Sequence, residues 1–234
     1  MTKLNQTTSA SSSAAAAIDI TYDPTLSGLT AINVQAAIDE MNYTAMTIAS
    51  FTNNVNSAEK GSTVNSVTLS WTYNTPTVTV TSQSINQGVG TITVGTLTKA
   101  LTSLGLTSTT TWTLTASNGT ETPTANSSVT FYSKRYWGAS ADDSLTTAEI
   151  LTLDSNEYVS SRSTTKTFDC SGGKYIWICY PTSLGTATFT VGGFVTSFNV
   201  STVSHTNASG FTEDYYTYRS VNLQYSSSVT VVVS

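Results

Sequence analysis

Charge is what this chain has least of. Only 10% of its 234 residues are Asp, Glu, Lys or Arg, against roughly a quarter in an ordinary globular protein. Nine basic residues against fourteen acidic ones leave a net charge of −5. That balance excludes a nucleic-acid binder, whose surface needs clustered Lys and Arg. The single histidine, His205, excludes any two-histidine zinc site and leaves a Ser-His-Asp constellation only one base to use. It falls in "STVSHTNASG", which reads as a loop. Cysteine is nearly absent too: Cys170 and Cys179 flank "SGGKYIWI". A turn at Ser171 to Gly173 would leave Cys179 several residues up the strand at about 3.3 Å each, a poor disulfide geometry. Both read as reduced structural thiols. No apolar run approaches the ~20 residues of a membrane span. The opening "MTKLNQTTSASSSAAAAIDI" lacks the apolar core of a signal peptide, which places folding in a cytoplasm. The acidic pairs Asp142-Asp143 and Glu213-Asp214 diverge on any strand, so they do not face each other as hydrolytic carboxylates must. The glycines of "GVG" and "SGG" lack the strand-loop-helix setting of phosphate binding. These absences predict no enzyme, no cofactor and no metal site.

What the chain does have is Thr and Ser alternating with apolar residues, the period of half-buried strands. Val67, Leu69, Trp71 and Tyr73 alternate through "VNSVTLSWTY", and "TVTVT" (77–81) and "TITV" (91–94) repeat the pattern. Trp112, Leu114 and Ala116 share a face before Asn118-Gly119, the favoured dipeptide of a type I′ hairpin. A last strand through Val129 and Phe131 completes a small sandwich over 45–134. "SKRYWGAS" reads as a junction with a tight turn at Trp137-Gly138, and "SLTTAEILTL" as a short helical turn from Ser144 or Thr147. Strands resume over 135–234, where "YIWICY" is apolar on both faces and so central. "LGTATFTVGGFV" reads as a hairpin at Gly192-Gly193, and Val229, Val231 and Val233 face inward at the end. The fold class is therefore mainly all-β: a short N-terminal helix followed by two antiparallel β-sandwich domains.

The helix lies in 31–44. Val34, Ala37, Ile38 and Met41 fall on one face, with Thr30 or Asn33 as cap and Asp39 and Glu40 on the other side. So short a helix is marginal alone. Its stripe needs a partner, either a copy of itself, making Val34, Ile38 and Met41 oligomerisation residues, or the first sandwich of its own chain. Residues 1–30, small and polar, read as a flexible arm that orders only against a partner surface. In the second domain "EDYYTYRSVNLQY" gathers Tyr215, Tyr216, Tyr218, Arg219 and Tyr225, aromatic faces beside polar groups that suit sugar rings. Strand alternation also explains half of these as core.

Three stretches in order carry a family resemblance. "T-x-x-NVQAAIDEM" resembles the short helix of many tail-fibre, head-fibre and spike-like proteins of tailed bacteriophages. "EKGSTVNSVTLSWTYN", "GLTSTTTWTLTASNG" and "VTFYSKRYWG" look like an immunoglobulin-like module of such virion proteins. "KTFDCSGGKYIWICYPTSLGTATFTVGGF" with "HTNASGFTEDYYTYRS" resembles the domain that often follows it. The resemblance covers roughly 20–234. It implies a virion appendage, usually homotrimeric, made in the host bacterial cytoplasm and docked on other virion proteins (capsid, neck or tail) through residues 1–30. No long repetitive shaft is present, which favours a head fibre, short spike or decoration protein. A host-receptor or glycan-binding module, with recognition in the C-terminal domain, is the alternative.

Overall fold

Alternation of period two becomes strand almost everywhere it was read. The computed structural model describes residues 16–25, 29–74, 76, 77 and 79–234. The chain is mainly β, with several antiparallel sheets and few helices. The strands are β1 (Ile48–Asn53), β2 (Ser57–Glu59), β3 (Val67–Tyr73), β4 (Ser82–Ile85), β5 (Gly90–Ile92), β6 (Thr98–Leu101), β7 (Thr110–Ser117) and β8 (Thr124–Ser140). They continue as β9 (Ser155–Val159), β10 (Thr164–Phe168), β11 (Tyr175–Pro181), β12 (Phe189–Val191), β13 (Phe194–Thr196), β14 (Phe198–Thr206), β15 (Thr212–Ser220) and β16 (Val229–Val233). The helices are α1 (Val34–Met41) and α2 (Thr147–Leu151).

Two compact units divide the chain: residues up to Ser50 with Thr72–Gly95 and Leu114–Ala125, and Phe51–Trp71 with Thr96–Thr113 and Asn126–Ser234. The expected boundary at 134/135 falls inside β8, and Trp137-Gly138 forms no turn; both lie in that strand. Gly138 is there for closeness, because a Cβ on it would stand 2.8 Å from the Asp154 nitrogen.

In the first unit β4 lies between β5 and the second half of β7. Ile85, Ile92, Leu114 and Ala116 are buried. Gln83 is buried but satisfied, donating to Thr93 O at 2.7 Å and accepting from the Tyr73 hydroxyl at 2.7 Å. Two expectations fail here. Residues 79–81 form no strand, and the β7–β8 loop closes one residue later than the expected Asn118-Gly119 turn, around Gly119-Thr120, with the Asn118 N–H donating to Glu121 O at 3.3 Å. The Asn118 side chain builds that loop by accepting from Thr120 N and Glu121 N at 3.0 and 2.7 Å.

Helix α1 also belongs to this unit. Asn33 is its cap, accepting from Ala36 N at 2.8 Å. Glu40 reaches back to take the N–H groups of Thr30 and Ala31 at 3.0 and 3.1 Å. Of the arm expected over 1–30, residues 1–15 and 26–28 lie outside the described residues. Ala17–Asp19 form a 3-10 turn, and the Val34 N–H donates to Ile20 O at 2.9 Å. The arm thus contributes to seating the helix.

In the second unit Val67, Leu69 and Trp71 alternate inward as expected, with Phe51 edge-on to Trp71 at 6.2 Å. Trp112, Val129 and Phe131 are buried as well. β11 runs between β8 and β15, with β14 outside β15. A second sheet orders β10-β16-β12-β13. β11 is buried on both faces, and its alternation sorts two cores. Ile176, Ile178 and Tyr180 join Phe168, Cys170, Phe189, Tyr218, Val229, Val231 and Val233. Cys179 points the other way, to Tyr136, Ile150 and Tyr215. Helix α2 supplies Ile150 and opens with a capping box between Thr146 and Glu149. Both cysteines are free and buried. The hairpin at Gly192-Gly193 forms with Val191 opposite Phe194. β2 pairs with β8 in parallel.

Candidate functional site

β15 disperses the tyrosine cluster read from sequence, because successive side chains leave opposite faces of a strand. Tyr215 is buried and donates its hydroxyl to Lys134 O at 2.8 Å. Tyr218 is buried on the other face, stacked on Tyr180 at 5.5 Å, its hydroxyl accepting from Ala187 N at 3.0 Å. Burial holds the Tyr215 hydroxyl in its protonated form, its pKa pushed well above the ordinary value. Neither ring can present a face to a ligand, so both are withdrawn from the expected binding set. Tyr216 is half-buried, edge-on to Tyr180 at 6.3 Å. Arg219 lies over the Tyr175 ring at 4.5 Å and donates to Asp143 O. Tyr225 is 69% exposed, its ring so close to Gly173 that a Cβ there would sit 2.7 Å away.

What remains open is a cleft of ≈ 240 Å³ on the α2 side of the sheet. Arg219, Thr217, Asn199 and Ser201 line it beside the Trp177 indole, with Asp143 and Ser144 at its edge. The strand register accounts for the grouping: Trp177 pairs with Arg219, and Arg219 with Asn199. The Trp177 ring nitrogen donates to Asp142 O at 3.3 Å, and the Ser201 and Thr217 hydroxyls meet at 2.6 Å. A guanidinium, hydroxyls and an amide beside an aromatic ring suit hydrogen bonding to a small polar ligand.

A second polar cluster is closed rather than open. His205 was read as a loop residue; it lies in β14, fully buried, edge-on to Tyr136 at 5.1 Å and tilted against Tyr215 at 4.6 Å. Both its ring nitrogens are buried without a protein partner, as is Oε1 of Glu59. Burial draws the imidazole pKa down, opposed by the nearby carboxylates of Glu213 and Glu59. Glu213 pairs with Lys60 at 3.2 Å and accepts from the Ser133 hydroxyl. Glu59 faces Lys134 at 3.6 Å and accepts from Ser209 at 3.2 Å. Asn207 then ties the β14–β15 hairpin to β2 by donating to Lys60 O at 2.8 Å. Gly61, at φ 87°, lets Phe211 close over it, where a Cβ would stand 2.6 Å from the Phe211 Cβ. Arg135, in the stretch "SKRYWGAS" read as a junction, is likewise interior: it donates to Glu157 at 2.8 Å and to Arg162 O at 2.8 Å. An inward parity on β8 is the signal that could have found it.

On α1 the three expected oligomerisation residues differ. Ala37 is buried and Val34 half-buried, whereas Ile38 is 40% and Met41 66% exposed. The described residues contain no group of three or more His, Cys, Asp or Glu able to hold a metal, and no helix long and apolar enough to cross a membrane.

No family model matches the chain, and no curated protein matches it. Among solved structures it is similar to the N-terminal eight Ig domains of Down Syndrome Cell Adhesion Molecule, at 10% identity and TM-score 0.27, over 79% of this chain and 23% of that one. Sidekick-1 immunoglobulin domains 1–4 give 13% identity and TM-score 0.29, over 80% and 47%. A chitinase, ChiA74 from Bacillus thuringiensis, gives 12% and 0.26, over 87% and 30%. The chain thus spans less than half the length of each of these three, and overlaps this loose carry no argument about it.

Proposed function

We propose that the chain is a structural component of a tailed-phage virion: a short head fibre, spike or tail-fibre piece that projects from the particle. In this reading it is no enzyme. Residues 1–30 dock on other virion proteins, α1 joins copies into a homo-oligomer, expected to be a trimer, and an immunoglobulin-like module and the C-terminal domain extend outward. The observation that carries the reading is the exposed Ile38 and Met41 on a helix too short to hold itself. The order of the three sequence stretches resembling virion appendages supports it. Replacing both residues by Asp should lower the oligomer mass in light scattering and leave the circular dichroism spectrum unchanged. An unchanged mass would remove helix association from the proposal.

A second reading is favoured by the cleft beside Trp177: a host-receptor or glycan-binding module. Arg219→Ala combined with Tyr225→Ala should then abolish binding to host cells or to immobilised host glycans while the melting temperature stays put. Binding that persists in the double variant refutes that reading.

A further inference from the structure

The two sheets of the C-terminal region end on the same stretch of chain. β13 is the last strand of one sheet and β14 the outer strand of the other, with only Ser197 between them. From Phe194 to Thr206 this stretch holds no proline and no Asp, Glu, Lys or Arg. Its one titratable side chain, His205, is turned inward and buried. Phe194, Val195 and Val200 are 78%, 83% and 53% exposed along it. Sheet edges are ordinarily blunted by charge, proline or a bulge, because free N–H and C=O groups invite another strand. The opposite end of the second sheet is so guarded: β10 carries Lys166, ion-paired with Glu157 at 2.7 Å. The β14 edge has none of these guards.

Register shows which groups are free. The Asn207 N–H donates to Phe211 O at 2.9 Å, so positions 207 and 211 form a hydrogen-bonded pair. Such pairs alternate along an antiparallel ladder. Residues 205, 203, 201 and 199 therefore bond to β15, and Val200, Thr202 and Ser204 turn their N–H and C=O groups outward.

We propose that β14 is an interface at which a second copy of this chain pairs with it, antiparallel, about a two-fold axis through Thr202. In that register Thr202 faces Thr202, and Val200 faces Ser204 of the second copy on both sides. The three pairs satisfy about six outward groups of each strand, two hydrogen bonds to a pair. An isologous contact demands this self-complementarity. A second copy also suits the charge distribution. Each chain carries −5, so copies repel over most of their surface, and a thirteen-residue neutral edge is where they can approach. The contact is separate from the α1 association and stands whether or not that association exists.

The test is the mass of the full chain by sedimentation and light scattering at about 10–100 μM, where a contact of micromolar affinity is populated. Thr202→Pro removes one outward N–H and touches no bond to β15, and proline is tolerated on an edge strand. It should halve the particle mass with the circular dichroism spectrum and melting temperature kept. Should Thr202→Pro fail to fold, Thr202→Lys, which sets two like charges face to face across the axis, must halve the mass instead. An unchanged mass in a folded variant overturns the proposal, as does a wild type that is monomeric throughout this range. Mass that falls only in the Ile38→Asp, Met41→Asp variant overturns it too, and leaves helix association standing.

Discussion

Replacing Glu157 by Gln should destabilise the protein more than removing the cation it serves. Arg135 has a side chain only 2% exposed, while Glu157, its partner at 2.8 Å, is 37% exposed. Burial lowers the guanidinium pKa, and the Glu157 carboxylate opposes the shift. Its remaining bonds go to the carbonyls of Ser161 and Arg162, and its Nε is already buried without a partner. In Glu157→Gln the guanidinium stays enclosed without a counter-charge, and Lys166, bound at 2.7 Å, loses its own. Stranding a buried charge costs about 3–5 kcal/mol when enclosure is complete. Because Glu157 is more than a third exposed, about 1–3 kcal/mol is the proper expectation. Arg135→Met instead removes the desolvated charge, leaves the Glu157–Lys166 pair intact, and frees two carbonyls on exposed residues to water. A cost of about 1 kcal/mol or less follows, of either sign. The assay is urea denaturation of both variants at pH 7, read by tryptophan fluorescence, with thermal melts in parallel. For a chain of this size each kcal/mol moves the midpoint by about 2–4 °C. If Arg135→Met proves the more damaging, the ion pair is a net stabiliser and the reasoning fails.

Acid should expose the closed histidine. The folded-state pKa of His205 lies below its ordinary value, so the unfolded chain takes up the proton first. The stability it contributes is complete above about pH 6.5 and drains away as the pH falls towards the folded-state value. His205→Phe, which also removes two unsatisfied ring nitrogens, should cost less than about 1 kcal/mol at pH 7 and flatten the stability profile as the pH falls below about 6.5. Titrated urea midpoints check it, and an unaltered slope would refute the assignment.

Much of the strand framework was legible because a period of two is written directly in side chains. Val67, Leu69 and Trp71, then Val229, Val231 and Val233, could be placed inward from sequence alone. The doubly apolar "YIWICY" marked the central strand. Dipeptides misled where they imitate punctuation. Trp137-Gly138 resembled a turn, but its glycine answers the approach of Asp154, a long-range contact no local pattern shows. Asn118-Gly119 promised the turn itself, but the Asn118 side chain captures the following N–H groups and the turn closes one residue later, around Gly119-Thr120. The candidate site was legible only in part. "YYTYR" alternates across β15, so clustering in sequence became separation in space, with two tyrosines in the cores. His205 escaped because Ser, Thr and Asn around it read as loop while the ladder with β15 runs through to Thr206.

The two cysteines give the cores on either side of β11 a pair of built-in clocks. Cys170 and Cys179 are both fully buried, and they belong to different cores. A thiol reagent can reach either one only during an opening event. With no other thiol in the chain, the rate at which each sulfur is modified reports how often its own core breathes. The two layers packed on β11 can therefore be timed separately, in the native protein and without any substitution.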